Sequence, residues 1–318
     1  MAKYSFRVSA IIRRITAVRS KEVLKKETSM NGSKTAFLFL LPLMLILGVF
    51  LIFSILFILK NGFYKLDLSF RSPVFVGLQN YRILISDSHF FLSILNNIIF
   101  ASVVVLSGIT LGFLLAVLLS LNIPFSKTIF ALVFIPSILP RALIATVFRQ
   151  MFEHHTGSVN GFISFLGLST EKLMWLTSPP LAYLTVMGLF VYMIGIPLLY
   201  YNADLASIPQ SILESARIDG AGLFTIMFKI IYPLVSSSHK TIIISSVLAS
   251  FRMFEVIFLL TQSGPGFTTE ISGTYIYRFT RQGSQIGYVC AASTVVLFIA
   301  LLIAIVQTSL LYKNKKKP

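Results

Sequence analysis

Residues 207–233 read SIPQSILESARIDGAGLFTIMFKIIYP, a stretch that lies between two long apolar runs yet carries helix and turn signals of its own. Ser207 is placed to cap a helix, Pro209 suits a first turn, and Gln210 follows Ser207 by three residues, as a capping box requires. Ile208, Ile212, Leu213 and Ala216 then fall at helical spacing and make an apolar stripe. Asp219-Gly220-Ala221-Gly222 supplies glycines that take positive φ without a Cβ clash, which ends the helix. A second helical stretch, 223–231, follows until Pro233 breaks the pattern. The expectation is helix, sharp glycine turn and second helix, inside a connection of residues 202–240 that is too patterned to be a passive tether.

On either side of that connection the chain is oily. Six runs, 36–59, 98–121, 129–148, 181–201, 241–260 and 288–311, are apolar over the ~20 residues a helix needs to cross a hydrocarbon core of about 30 Å. Such runs must be helical, because an exposed backbone group finds no water there. Of 318 residues, 56% are apolar and 12% charged, where soluble domains carry about 25% charged residues. Mean hydropathy is +0.85, which excludes a purely water-soluble globule. The expected fold class is an all-α integral membrane protein with six transmembrane helices. No internal repeat or low-complexity linker divides it, so residues 36–312 form one domain between a basic segment, 1–35, and a basic tail, 313–318. The first run, at 24 residues, is too long for a signal core, and Lys60-Asn61-Gly62 after it is no small-residue cleavage site.

Net charge is +16, with 27 Lys and Arg against 11 acids. Sorted by the parity of the connections, 17 of those cations fall on the side of the two termini and 8 on the other. The positive-inside rule therefore places both termini, and residues 207–233 with them, in the cytoplasm. Charge dispersed among membrane loops leaves no continuous basic face, which excludes nucleic acid as a partner. In the N-terminal segment Val8, Ile11, Ile12, Ile15 and Val18 are spaced helically among Arg7, Arg13, Arg14 and Arg19. Both an interfacial helix on membrane lipid and a disordered basic tail fit that pattern.

Chemistry on a substrate has no candidate residues. The single cysteine, Cys290, excludes an intrachain disulfide, and four scattered histidines lack metal-ligand spacing. Gly32-Ser33-Lys34-Thr35 imitates the end of a phosphate loop but has neither the first glycine nor a preceding strand, and reads as a polar linker. Nucleophile-elbow and zinc-helix motifs are absent, and Glu153-His154-His155 reads as solvated surface. The chain is expected to be no enzyme and to hold no catalytic residue, metal or cofactor of its own.

Charges inside membrane runs are costly, about 2.5 to 3.5 kcal/mol each on insertion scales, and tend to face a cavity or a partner. Arg141 follows Pro140 in the third run; Arg252 and Glu255 stand three apart in the fifth, on one face of a continuous helix. They either meet solute or are internally satisfied, Arg252 by Glu255 and Arg141 by carbonyls freed near Pro136 and Pro140. Glu255 is the one acid well inside a run, so an ion-coupled secondary carrier is the competing class; it would leave residues 207–233 without a role.

The spacing Glu214-Ser215-Ala216, three residues, Gly220, nine residues, Ile230, two residues, Pro233 resembles the E-A-A-x3-G-x9-I-x-L-P signature of permease subunits of ABC importers. Ser215 stands for its second residue and Tyr232 for its leucine. Phe75-Val76-Gly77-Leu78-Gln79-Asn80-Tyr81 is similar to the F-x-G-L-x-N-Y stretch of the first permease of maltose-type transporters. Thr261-Gln262-Ser263-Gly264-Pro265 is similar to its T-x-G-G-P turn, with Ser263 in place of a glycine. The resemblance runs from the first apolar run to the C-terminus. It implies a type I ABC importer permease fold with a cytoplasmic coupling helix between spans four and five. That helix docks in a cleft of the ATPase through Glu214, Ser215, Ala216, Asp219, Gly220 and Ala221. ATP and Mg would then be bound by partner ATPase subunits, two per assembly, beside a second homologous permease and an extracytoplasmic solute-binding protein facing 60–97, 149–180 and 261–287. It also implies a solute path past Arg141, Tyr192, Gly195, Phe251, Arg252 and Glu255, with Tyr192 and Phe251 stacking on sugar rings. The implied cargo is an oligosaccharide. Arginine and glutamate in that path, where neutral side chains suffice for a neutral sugar, point toward an acidic oligosaccharide or a glycerol phosphate ester.

Overall fold

The computed structural model describes residues 31–121, 123–169 and 171–312. Residues 1–30, where an interfacial helix or a basic tail is expected, and the basic tail 313–318 lie outside the described residues. The chain divides after Leu59 into two units. The first holds most of α1 (Asn31–Asn61), which contains Pro42 and carries no charge from Ala36 to Leu59, the pattern of a helix with apolar surroundings on every side. Gly32-Ser33-Lys34-Thr35 is not a linker, as expected, but the first turn of this helix.

The second unit begins with a two-stranded antiparallel ribbon, β1 (Tyr64–Lys65) and β2 (Val74–Phe75), with Tyr64 opposite Phe75. Then follow α2 (Gln79–Ser86), α3 (Ser88–Ser120), α4 (Ser126–Ile138), α5 (Arg141–Met151), α6 (Ser158–Phe165), α7 (Pro179–Tyr192) and α8 (Gly195–Ala206). After them come α9 (Gln210–Ile218), α10 (Leu223–Leu234), α11 (Ser236–Ser250), α12 (Phe254–Leu260), α13 (Ser272–Gln282) and α14 (Ile286–Tyr312).

Four of the expected spans are unbroken enough to cross a membrane by length and composition: α1, α3, α7 with α8, and α14. The other two are bent pairs, α4 with α5 at 102° and α11 with α12 at 57°. The first bend falls at Leu139-Pro140, where proline forces its predecessor out of the helical region; Leu139 has φ −66° and ψ 150°. The second has no proline. There the Ser250 carbonyl, which an unbroken helix would give to residue 254, accepts instead from Asn97 Nδ2 at 3.1 Å. Arg252 and Met253 tighten to i−3 bonds at 2.9 and 3.3 Å.

Asn97 has a neighbour with the same task. Asn96 Nδ2 donates to the carbonyls of Thr268 at 2.8 Å and Glu270 at 2.7 Å, and its Oδ1 accepts from the Tyr183 hydroxyl. Asn97 Oδ1 accepts from the Ser272 amide at 2.8 Å. Both side chains are buried, so these bonds replace water that is not there and pin the 261–272 loop to the start of α3.

Helices approach closely where glycine allows it. Gly108 and Gly112 lie in a π-helical turn of α3, and a Cβ on either would come within 3.0–3.1 Å of the Pro197 ring on α8. At Gly287 a Cβ would fall 1.8 Å from the Tyr64 carbonyl oxygen, while the Gly287 amide donates to Leu66 at 3.2 Å. Gly287→Ala is therefore expected to dislodge the ribbon from α14, read as a loss of at least half the detergent-stable protein in a thermal stability assay. Unchanged stability would contradict this packing. The apolar interior gathers in one cluster around Leu189, Val186 and Ile257, a second around Phe113, Leu198 and Tyr201, and a third around Leu84, Tyr275 and Ala292.

Candidate functional site

The connection 207–235 has the helix, glycine turn and helix that its pattern predicts, with different ends. The capping box does not form. Helix α8 continues to Ala206, so Ser207 becomes its C-cap and turns its hydroxyl back to the Asp204 carbonyl at 2.7 Å. Pro209, not Ser207, precedes the first residue of α9 and offers no side-chain cap. Pro233 does not end the second helix at Ile231 either. Its missing amide is accommodated by a π-helical turn, Ile226–Ile231, and α10 runs on to Leu234.

The end of α9 is where glycine is required. Gly220 has φ +79°, its amide donates to Arg217 at 3.0 Å, and the Ala221 amide reaches back five residues to Ala216 at 2.9 Å. These paired bonds are a Schellman motif. Of the predicted stripe, Ala216 is buried and Ile208 and Leu213 pack beside it in the second core cluster, whereas Ile212 is exposed. Glu214, Ser215, Asp219 and Gly220 are all exposed on the turn. Beside them stand three apolar side chains that the spacing did not single out: Ile218 at 85% exposure, Phe224 at 77% and Leu223 at 65%. The tip is thus apolar at its rim, with Glu214 and Asp219 as its acids.

Two devices tie this connection to the bundle. Asp204, near the end of α8, accepts from the Ser237 hydroxyl at 2.7 Å and from the Ser238 amide and hydroxyl at 3.0 and 2.7 Å, so the two feet of the connection are joined. His239 on α11 hydrogen-bonds through Nδ1 to the Tyr201 hydroxyl of α8 at 2.6 Å and through Nε2 to the Tyr232 carbonyl of α10 at 3.1 Å. The rings of Phe113, Tyr201 and Tyr232 surround that imidazole. Neither device was visible in the sequence, where His239 is one of four scattered histidines.

Within the bundle, a cavity of about 180 Å³ lies at the two helix breaks, lined among others by Ser137, Arg141, Pro197, Tyr200, Ser245 and Ser246. Of the six residues expected on a solute path, Arg141 lines it. Gly195 instead makes close helix contact, with a Cβ there falling 2.6 to 2.9 Å from Ser137, Val133 and Phe134 of α4. Tyr192 is half exposed and its ring lies 5.3 Å from that of Phe148. Phe251 ends α11 outside the cavity lining. Arg252 and Glu255 do not share a helix face, because the break at 251–253 falls between them, and both are exposed. The one ion pair among the described residues joins Glu270 to Arg278 instead.

At the other end of α12, Gln262 and Ser263 have φ +54° and +69°, so serine takes a left-handed conformation that glycine adopts more readily. Thr261, Thr269 and Gly264 lock the turn through hydroxyl and carbonyl bonds of 2.7 and 2.9 Å.

Broken apolar helix pairs, a glycine-turned connection and a loop stapled by buried asparagines fit a transport permease. Residues 108–314 match the model of the binding-protein-dependent transport system inner membrane component, and the chain belongs to that family. It is 28% identical over 281 residues to a probable ABC transporter permease of Pyrococcus horikoshii, covering 88% of this chain and 96% of the relative. To the trehalose/maltose transport system permease of Thermococcus litoralis it is 28% identical over 283 residues, covering 88% and 95%. The fold matches that of a chain in a bacterial ABC transporter involved in the import of the acidic polysaccharide alginate, with TM-score 0.77, 22% identity, and coverage of 94% and 100%.

Proposed function

We propose that this chain is one permease half of an ATP-driven importer that moves an oligosaccharide into the cytoplasm by alternating access. It has six spans, both termini inside, and pairs with a second, related permease, two ATPase subunits and an extracytoplasmic solute-binding protein. ATP and Mg belong to the ATPase subunits. The observation that carries this reading is the capped turn at Gly220, whose apolar rim and acids project beyond the bundle while His239 and Asp204 bind its base to α8 and α11. A groove that closes on such a stub on ATP binding displaces two spans together.

For the cargo, the cavity at the helix breaks offers hydroxyls from Ser137, Tyr200, Ser245 and Ser246 and one guanidinium, from Arg141. Those hydroxyls, set among apolar side chains such as Phe190, Met193 and Val256, suit the edges and faces of a sugar, and the exposed Arg141 guanidinium can pair with a carboxylate. The alginate importer supports an acidic sugar, and the trehalose/maltose permease supports the carbohydrate class more broadly.

The test is co-purification of the assembly and measurement of its ATPase rate with binding protein loaded with neutral or acidic oligosaccharides. Stimulation by a loaded sugar is the expected result, with Arg141→Gln raising KM for acidic sugars about tenfold and leaving neutral ones within twofold. Uptake into vesicles that persists without ATP and follows an ion gradient would overturn the reading in favour of a secondary carrier.

A further inference from the structure

A second and larger recess, about 440 Å³, opens between the end of α12, the 262–270 loop and α13. It is far along the chain from the docking turn and on the opposite side by span parity, which in the proposed orientation is the outer mouth. Its floor is built. Glu270 is 1% exposed, and its two oxygens are taken by Arg278 through Nε at 2.9 Å and Nη2 at 3.0 Å. Burial pushes this carboxyl above its usual range and the arginine fork opposes that. The Arg278 guanidinium also lies over aromatic rings, 4.3 Å from the centroid of Phe267 and 4.7 Å from that of Phe279. It is therefore fixed in place, with Nη1 left over after its fork to Glu270 is complete.

The rest of the lining is not explained by holding that floor together. Arg281 follows Arg278 by three residues on the same face of α13 and is exposed. The recess thus carries two guanidinium groups against one carboxylate that is already engaged. Gln262 and Gln282 add amides that both donate and accept, and Phe258 and Tyr277, with ring centroids 5.1 Å apart, form an aromatic flank. A fixed cation, a second cation, bifunctional amides and a ring face are what a pyranose bearing a carboxylate needs. A purely structural ion pair needs none of the last three. The volume suits one or two sugar rings.

We propose that this recess is a second saccharide subsite, which takes a uronic-acid residue of an acidic oligosaccharide at the outer mouth, separate from the cavity lined by Arg141. Helix α12 touches both places, through Val256 at the inner cavity and Phe258 at the recess. The subsite rests on the importer reading for its orientation, and holds cargo between arrival and entry.

The experiment uses the co-purified assembly in lipid nanodiscs, without ATP and without binding protein, and equilibrium dialysis with labelled trigalacturonate and maltotriose. Saturable trigalacturonate binding that weakens with added salt is expected, with maltotriose about tenfold weaker or worse. Arg281→Gln should weaken trigalacturonate about tenfold, while Arg141→Gln retains the salt-sensitive component. Arg281 is the chosen variant because changing Arg278 would orphan the buried Glu270. A thermal melt within about 2 °C of the parent checks that Arg281→Gln folds. No trigalacturonate binding to the parent, equal maltotriose binding, or an Arg281→Gln affinity unchanged from the parent overturns the subsite. A separate pull-down with the binding protein supplies one more overturning result: an Arg281→Gln defect seen only there would assign the recess to a protein contact. Assembly with the ATPase is scored separately, so failure of the importer reading is distinguishable from failure of the subsite.

Discussion

Gly220→Trp is expected to leave the chain in the membrane at near-normal abundance and to reduce transport and cargo-stimulated ATPase activity at least tenfold. The reasoning separates two effects. An L residue forced into the left-handed region at φ +79° costs about 1 to 2 kcal/mol, which the helix end can absorb by fraying. A Cβ at Gly220 meets no atom of the chain within 4 Å, so the side chain leaves the exposed turn unobstructed at its first carbon. Its bulk projects from the same turn that exposes Ile218, Leu223 and Phe224, and it obstructs whatever seats over them. Gly220→Ala carries the same backbone cost without the bulk and should keep most of the activity. Normal transport by the tryptophan variant would show that nothing docks at this turn.

His239→Leu should produce a different defect, continued ATP hydrolysis with at least a tenfold fall in sugar moved per ATP. Leucine fills much of the imidazole's place among Phe113, Tyr201 and Tyr232 but makes neither bond. The Tyr201 hydroxyl then loses its 2.6 Å partner, at about 1 to 3 kcal/mol, and α10 loses its 3.1 Å bond to α11. Docking remains possible because the turn itself is untouched, yet its displacement no longer reaches the spans. His239→Gln, which can both donate and accept, should restore part of the ratio. A merely structural histidine would lower the amount of protein and leave transport per ATP unchanged, and that result would remove it from the coupling path.

Much of this architecture is written in local pattern. The apolar runs and the turn at Gly220 each depend on residues close together in sequence; four of the runs lie in unbroken helices, two in bent pairs, and the turn sits at its expected glycine. What pattern could not supply are contacts between distant residues. The break in α11 and α12 is made by Asn97, 153 residues from the carbonyl it takes, and that break separates Arg252 from Glu255 despite their helical spacing. Ser207 failed as a cap for a local reason, since α8 simply had another turn to run before it. Asn96 and Asn97 were the available clue. Two amides immediately before an apolar run at Ile98 are an unusual place for polarity, and they mark the junction with the 268–272 loop. The apolar rim at Ile218 and Phe224 was equally open to view, but only the folded turn makes it exposed on one tip.

Asp204 has a consequence for how far this segment can vary. By accepting from Ser237 and Ser238 it brings the entry and exit of the 207–235 segment to one point, so the segment is closed on itself like the handle of a cup. Its tip can change outline while the rim to which both ends are fastened stays the same.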